Sequence, residues 1–183
     1  MPEGSMALLV DTGNHLIRSV DMGSREVRMF TGSGIYSWVE FGNTYSYFQP
    51  GFQDGPASSA RFSYPTYIMV SADGSKVFVV DGGYEGWGGP WGGSRIRVID
   101  MTTRLVSTLA GPRNAHVFGF LSREEGQDGF GENARFAGDI CGIVLSPDGT
   151  MFIVADALGG PNSLWGEQSS SCIQDPHGKH NNR

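Results

Sequence analysis

The sequence predicts an all-β fold, and three observations lead to this prediction. Short apolar runs such as Val77-Phe78-Val79-Val80 are separated by Asp-Gly, Pro-Asp-Gly and Gly-Gly pairs, which are typical of the turns between β-strands. Glycine supplies 28 of the 183 residues, about twice its usual share, without the three-residue period of collagen. The sequence shows no apolar period of an amphipathic helix.

The charge balance disfavours a non-specific nucleic-acid-binding protein, and the short apolar runs disfavour a protein with membrane-spanning helices. Thirteen Lys and Arg residues against nineteen Asp and Glu residues give a net charge of −6, so non-specific binding to nucleic acid is disfavoured. The apolar runs are far shorter than the roughly 20 residues of a membrane-spanning helix, and no secretory signal is visible. Two cysteines, Cys141 and Cys172, are too few for a disulfide framework. Together these features predict a soluble protein in a reducing, cytoplasmic compartment.

An internal repeat organises the chain. The segments Asp54–Phe62 and Asp128–Phe136 both read D-G-x-x-x-x-A-R-F and start 74 residues apart. Each is followed by a predicted strand, a turn that contains Asp-Gly, and a second strand that ends in Asp81 or Asp156. Repetition at a period of tens of residues is typical of propellers and solenoids.

The N-terminal segment carries a more specific signal. Asp11-Thr12-Gly13-Asn14-His15-Leu16-Ile17-Arg18 resembles the hallmark of the NHL repeat, whose name is spelled by Asn14, His15 and Leu16. The resemblance implies blades of a β-propeller, usually six, each with four antiparallel strands. It covers residues 6–156, and the segment Gly82–Gly93 departs from it by replacing a short connection.

The strands follow from this pattern in three units. They are predicted near residues 6–10, 16–21 and 25–30 in the first unit, near 66–71, 76–81, 95–100 and 104–110 in the second, and near 139–145 and 150–155 in the third. The prediction is therefore an incomplete ring of about two to three blades over residues 1–156, followed by a polar, poorly ordered tail over 157–183. Because blades bury their faces only against neighbours, three explanations stay open: a truncated gene product, an artificially shortened chain, or self-association that covers the open blade edges.

The polar residues of the repeat are interpreted as structural. Short polar side chains that bond nearby backbone groups favour a hairpin connection, and an arginine at equivalent places in two units favours an ion pair with an Asp of a neighbouring blade. The residues of this structural set are Asp11, Asn14, His15, Arg18, Asp54, Arg61, Phe62, Asp81, Asp128, Arg135, Phe136 and Asp156.

Long loops form the candidate binding site. In a four-stranded antiparallel blade, the links at 32–50 and 112–125 and the loop at 82–94 open on the same face. Aromatic side chains on such loops are typical of recognition surfaces, which indicates a face for a protein, peptide or glycan partner. Its proposed members are Tyr36, Trp38, Tyr45, Tyr47, Trp87 and Trp91. The alternative is that these rings pack back over the blade edges as local core.

Catalytic chemistry is not indicated by the sequence. Cys172, His177 and His180 could ligate zinc in principle, but their spacing and polar surroundings favour a solvated tail, and Cys141 is interpreted as a small apolar side chain in a strand. We therefore predict no catalytic residue, no metal site and no cofactor, and interpret the chain as a noncatalytic interaction or scaffold module. Two alternatives remain: a remnant of a propeller enzyme similar to the zinc-dependent amidating lyases, and an RNA-binding NHL propeller.

Overall fold

The computed structural model describes residues 6–32, 35–41, 43–48, 50–82, 94–112, 126–136 and 139–157. Within these ranges the fold is all-β, with twelve strands in four antiparallel sheets and two three-residue 3-10 turns. The all-β prediction is confirmed. The predictions for Trp87, Trp91, the loops around 82–94 and 112–125 and the C-terminal tail fall almost wholly on residues outside these ranges.

The four sheets follow one another along the chain. The N-terminal sheet has the spatial order β1-β2-β3 and consists of β1 (Met6–Asp11), β2 (Leu16–Asp21) and β3 (Val27–Thr31). A two-stranded sheet, here called the ribbon, consists of β4 (Ile35–Glu40) and β5 (Asn43–Phe48). The central sheet has the spatial order β6-β10-β9-β8-β7 and consists of β6 (Gly55–Pro56), β7 (Pro65–Val70), β8 (Lys76–Asp81), β9 (Arg95–Asp100) and β10 (Leu105–Ala110). The C-terminal sheet pairs β11 (Asp139–Leu145) with β12 (Phe152–Ala157).

Each of the nine predicted strands is found, with bounds that differ from the prediction by two residues at most. The prediction of a link over residues 32–50 is wrong, because this segment contains the ribbon. Its polar and apolar residues alternate, which favours paired strands, whereas the prediction followed the repeat pattern and assigned the segment to a loop.

The N-terminal and central sheets have equivalent strand pairings. Arg18 of β2 lies opposite Leu9 of β1, as Arg97 of β9 lies opposite Val79 of β8. The turns that follow β2 and β9 also match: Arg25 and Arg104 both have a left-handed backbone, with φ of 63° and 60°. The repeat read from the sequence is therefore a repeat of strand register.

The turns before β8 and β12 use one arrangement of side chains. The carboxylate of Asp73 accepts hydrogen bonds from the Ser71 hydroxyl at 2.6 Å and from the Ser75 backbone N–H at 3.0 Å. Asp148 accepts the equivalent bonds in the C-terminal sheet, including 3.1 Å from the Thr150 N–H. Asp, Ser and Gly stabilise such turns because short side chains satisfy backbone donors that the strands leave unpaired.

The N-terminal, central and C-terminal sheets stack on one another, and the hydrophobic core lies in two layers between them. The first layer joins the N-terminal and central sheets, and its buried members are Ile17, Phe30, Ala60, Phe62, Val77, Val79, Ile99 and Val106. The second layer joins the central and C-terminal sheets, and its buried members are Val80, Ile96 and Ile140. Beside it, the rings of Phe78 and Phe152 meet edge to face with 4.6 Å between centroids. The two faces of the central sheet are therefore covered by different neighbours.

Two backbone N–H groups donate hydrogen bonds between stacked sheets, to acceptors that lie at one position of the repeat. The Tyr64 backbone N–H, just before β7, donates to Nδ1 of His15 at 3.1 Å. The Ile140 N–H of β11 donates to the hydroxyl oxygen of Ser94 at 3.2 Å. His15 is buried, and this burial lowers its pKa, which favours the neutral ring that can accept a hydrogen bond. The structural role predicted for His15 fits this contact.

Two glycines follow the last strands of the N-terminal and central sheets. Gly32 and Gly111 have φ of 101° and 100°, where side chains are strained. A Cβ at Gly111 would also lie 2.8 Å from the Cα of Arg95. Glycine at these places lets the hairpin loop of the same sheet approach the backbone closely.

Cys141 in β11 takes part in a disulfide bond. The interpretation of Cys141 as a small apolar side chain in a strand did not anticipate this bond. The sequence contains one other cysteine, Cys172, which lies outside the described residues. Burial and strand context alone do not distinguish a free thiol from a bonded one.

Candidate functional site

The ribbon brings four of the predicted aromatic residues to one face. In its register Tyr36 lies opposite Tyr47, and Trp38 lies opposite Tyr45. Because residues two apart on a strand share a face, all four positions fall on the same side of the ribbon. Residues directly opposite each other are about 4.5–5.5 Å apart at Cβ, so the four positions form one compact patch, here called the aromatic patch.

The opposite face of the ribbon has a different composition. Its central cross-strand pair is Ser37 with Ser46, and Val39 lies opposite Thr44. Ile35 also lies opposite Phe48 on this face, so it has one aromatic residue among small and β-branched ones, whereas the other face has four.

The turn of the ribbon presents a further aromatic side chain. Glu40 pairs with Asn43, so the turn contains only Phe41 and Gly42. Phe41 has φ of 50°, as the first position of a type I′ hairpin turn requires, and 93% of its surface is exposed. A left-handed backbone is unfavourable for a phenylalanine, and its exposed ring leaves apolar surface in water. Both features favour a contact with a ligand.

Four of the six predicted aromatic residues lie in the ribbon, their role in binding stays a prediction, and Phe41 was not among the six. The structure brings Tyr36, Trp38, Tyr45 and Tyr47 together in the ribbon, while Trp87 and Trp91 lie outside the described residues. The signal for Phe41 was present, because Phe41-Gly42 interrupts two alternating runs, as the turn of a hairpin does.

A second constellation of polar residues is buried inside the central sheet. Arg97 donates from Nη1 to Oδ2 of Asp81 at 2.8 Å and from Nη2 to Oδ1 of Asp54 at 2.8 Å. The same guanidinium donates to the carbonyl oxygens of Arg61 and Gln53, each at 3.0 Å. Arg97 therefore joins the D-G-x-x-x-x-A-R-F segment to the sheet that follows it.

The charges of this network are set by burial and by Arg97. Burial raises the pKa of Asp81 to about 6, and the Arg97 charge and the Ser63 N–H, 2.6 Å away, oppose that rise. Burial would also raise the pKa of Asp54, but the Arg97 charge and hydrogen bonds from Thr108 outweigh it and place this pKa below its usual range. Burial lowers the pKa of Arg95 to about 10, so this cation, stacked 3.3 Å over the Phe52 ring, stays charged at neutral pH.

The structural set predicted from the repeat occupies matching places. Gln53 forms an isolated antiparallel bridge with Arg61, and Gln127 forms the same bridge with Arg135. In the N-terminal sheet, Asp11 accepts hydrogen bonds from Arg18 and from Asn14. The predicted ion pair between Arg61 and a neighbouring Asp stays a prediction. The bridging cation of the network is Arg97, which the sequence analysis did not single out.

The structure also describes the remaining positions of the set, and their burial differs between the two copies of the motif. Phe62 is fully buried in the first core layer, and Phe136 packs against the second. Asp128 is exposed in the second copy of the motif, and Asp156 pairs with Ile140 through the backbone.

An open apolar groove of about 560 Å³ lies on the face of the central sheet that carries Phe78. Its lining includes Val98, Leu105 and Leu109, with Lys76 and Asp100 as charged members. Thr103 and Ser107 are its other polar lining residues, and because the groove is open it encloses a ligand less than the clefts that bind small molecules.

Over the described ranges, no three His, Cys, Asp or Glu side chains come close enough to hold a metal ion. The part of the chain that the structure covers also contains no helix long and apolar enough to cross a membrane.

The fold places the chain among all-β proteins built from successive antiparallel sheets. No protein-family model and no curated protein matches the sequence. An auxiliary nutrient binding protein from Bacteroides ovatus ATCC 8483 is similar in structure, with a TM-score of 0.54, 18% identity, and coverage of 85% of this chain and 33% of the other. An auxiliary nutrient binding protein from Bacteroides thetaiotaomicron VPI-5482 matches with a TM-score of 0.52, 19% identity and the same coverages of 85% and 33%. The chain thus spans about a third of the length of each, and the likeness concerns the fold.

Proposed function

We propose that this chain is a noncatalytic binding module of NHL-type β-propeller repeats whose aromatic patch binds a neutral oligosaccharide. The observation that carries the proposal is the register of the ribbon, which puts Tyr36, Trp38, Tyr45 and Tyr47 on one face. The equivalent strand pairings and the stacking of successive sheets support the assignment to propeller blades.

The chemistry of the patch suits a flat, uncharged ligand. Aromatic rings offer a large contact area at a low cost in conformational entropy, and tyrosine and tryptophan add a polar group at the ring edge. A sugar ring has an apolar face and a rim of hydroxyls, so it can stack on such a ring and hydrogen-bond to its edge. The two-stranded ribbon fixes the spacing of the four aromatic positions before the ligand arrives, which lowers the cost of binding.

Two further observations support binding over catalysis. The carboxylates of Asp54 and Asp81 are engaged by Arg97 inside the sheet, so they are not placed for acid–base work on a substrate. Both structural neighbours are described as auxiliary nutrient binding proteins, and an oligosaccharide is a nutrient of the kind that an aromatic patch recognises.

The test is affinity gel electrophoresis of the whole chain in gels that contain neutral glucans, xylans or mannans. We expect at least one polysaccharide to retard the wild-type chain, and Trp38→Ala to weaken that binding about tenfold, which corresponds to about 1.4 kcal/mol. Ser37→Ala is the matched control, because Ser37 is the adjacent residue on the opposite face of the ribbon. It should bind as the wild type does.

Three outcomes would overturn the proposal. One is the absence of retardation by any neutral polysaccharide, and another is equal binding by Trp38→Ala and the wild type with unchanged circular dichroism. Binding of a peptide library in place of polysaccharides, with loss on Trp38→Ala, would assign the patch to peptides. Loss of folding in Trp38→Ala would show that the rings belong to a local core, and Phe41→Ser, at the exposed turn, would then test binding without that effect.

A further inference from the structure

The outer faces of the N-terminal and C-terminal sheets carry exposed apolar side chains, whereas the equivalent faces of the central sheet are covered by a neighbouring sheet. Val27 of β3 lies at the register position that Val106 of β10 occupies in the central sheet. Val27 is 52% exposed, whereas Val106 is 2% exposed because the N-terminal sheet packs on it. Leu9 and Met29 are exposed on the same outer face as Val27.

The C-terminal sheet shows the complementary case. Ile153 of β12 and Phe78 of β8 are equivalent positions. Each is the same number of residues after the Asp-Gly turn that precedes its strand. Ile153 is 63% exposed, whereas Phe78 is 7% exposed because the C-terminal sheet covers it. Val144 of β11 pairs with Ile153 and is exposed as well.

The two exposed faces are therefore the two unlike halves of one interface that the molecule already contains. The face of Val27 is equivalent to the face of the central sheet that accepts a preceding sheet. The face of Ile153 is equivalent to the face of the central sheet that accepts a following sheet. Contacts of this head-to-tail kind are heterologous, because each copy contributes a different surface.

We propose that copies of this chain associate head to tail, with the Ile153 face of one copy packed on the Val27 face of the next. The occupant is a second copy because both halves of the interface are present on a single chain, and because the layers between successive sheets of that chain show how such halves pack. Large exposed apolar patches on a sheet face are typical of interaction surfaces. The proposal does not involve the ribbon and stands apart from the oligosaccharide function.

The test is the native mass of the whole chain, measured by size-exclusion chromatography with light scattering from about 1 to 100 µM. We expect a defined oligomer for the wild type and a monomer for Val27→Glu and for Ile153→Glu. Each substitution is at an exposed side chain, so circular dichroism should be unchanged. Val70→Glu is the control, since Val70 is 49% exposed on the central sheet and lies on neither outer face; its mass should equal that of the wild type.

A mixture of the two charged variants distinguishes this geometry from others. Val27→Glu keeps an intact Ile153 face and Ile153→Glu keeps an intact Val27 face, so an equimolar mixture should form a dimer that neither variant forms alone. A wild-type chain that is monomeric at 100 µM would overturn the proposal. A mixture that stays monomeric would also overturn it, because the intact Ile153 face of one variant would then not bind the intact Val27 face of the other.

Discussion

Replacing Arg97 by methionine should destabilise the fold far more than the same replacement of Arg18. The two arginines occupy equivalent register positions in the central and N-terminal sheets, and each contacts an aspartate. They differ in burial, since the Arg97 and Asp81 side chains are fully buried whereas Arg18 and Asp11 are partly exposed. The two arginine–aspartate pairs therefore compare a buried with a partly exposed environment in one molecule, and Arg97 additionally bonds Asp54 and two carbonyl oxygens.

The expected magnitudes follow from this difference. Arg97→Met leaves the buried carboxylate of Asp81 without its cation and removes hydrogen bonds to two backbone carbonyls, and breaking a buried pair from one side costs about 3–5 kcal/mol. Arg18→Met leaves Asp11 in contact with water, and such pairs contribute about 0–1 kcal/mol. For a chain of this size, each kcal/mol corresponds to roughly 2–4 °C in Tm, so Arg97→Met should lower Tm by about 6–20 °C.

Urea unfolding followed by circular dichroism measures both free energies of unfolding. Adding Asp81→Leu to Arg97→Met should recover part of the lost stability, because an apolar pair of similar volume replaces a buried charge that has no partner. Equal losses for Arg97→Met and Arg18→Met would refute the reasoning, since burial would then not control the strength of the pair.

Two further predictions concern the turns. Gly111→Ala should destabilise the fold by more than about 1 kcal/mol, because its φ is 100° and a Cβ would lie 2.8 Å from the Arg95 Cα; Gly13→Ala, with no atom within 4 Å of its Cβ, should be close to neutral, and equal urea midpoints for the two variants would contradict this. Hydrogen bonds from Ser71 and Ser75 lower the pKa of Asp73 from 3.8 to about 2, so the stability that its ionised form contributes is present above pH 3.8 and is lost as pH falls towards 2. Asp73→Asn should therefore flatten the dependence of the urea midpoint on pH between 4 and 2, and an unchanged slope would show that Asp73 does not contribute.

Local features of the sequence were sufficient to predict the strands and tight turns of the three stacked sheets. The hairpins of the three stacked sheets are marked by Asp-Gly or by an Asp that accepts two backbone hydrogen bonds, as Asp100 does from Thr102 and Thr103. These contacts join residues that are two or three positions apart, so the local amino-acid sequence is enough to predict them. The strands of the ribbon were not predicted. The repeat pattern assigned this segment to a link between blades, although the alternation of its residues favours strands.

Long-range contacts could not be predicted in the same way. Arg97 meets Asp54, 43 residues earlier in the sequence, and nothing local indicates which of the arginines of the central unit fills that role. The disulfide at Cys141 is a contact of the same kind. For the candidate site, the aromatic composition was readable, whereas the shared face of Tyr36 and Tyr47 required the register of the ribbon.

Because every stacked sheet offers one face to its predecessor and another to its successor, the stack has a direction. A duplicated sheet inserted in the middle of such a stack would pack on the same kind of face on both sides. The number of repeats can therefore change without new types of contact between sheets. The ribbon connects the N-terminal and central sheets, so a segment of this kind can change in sequence while the stacking of the sheets is preserved.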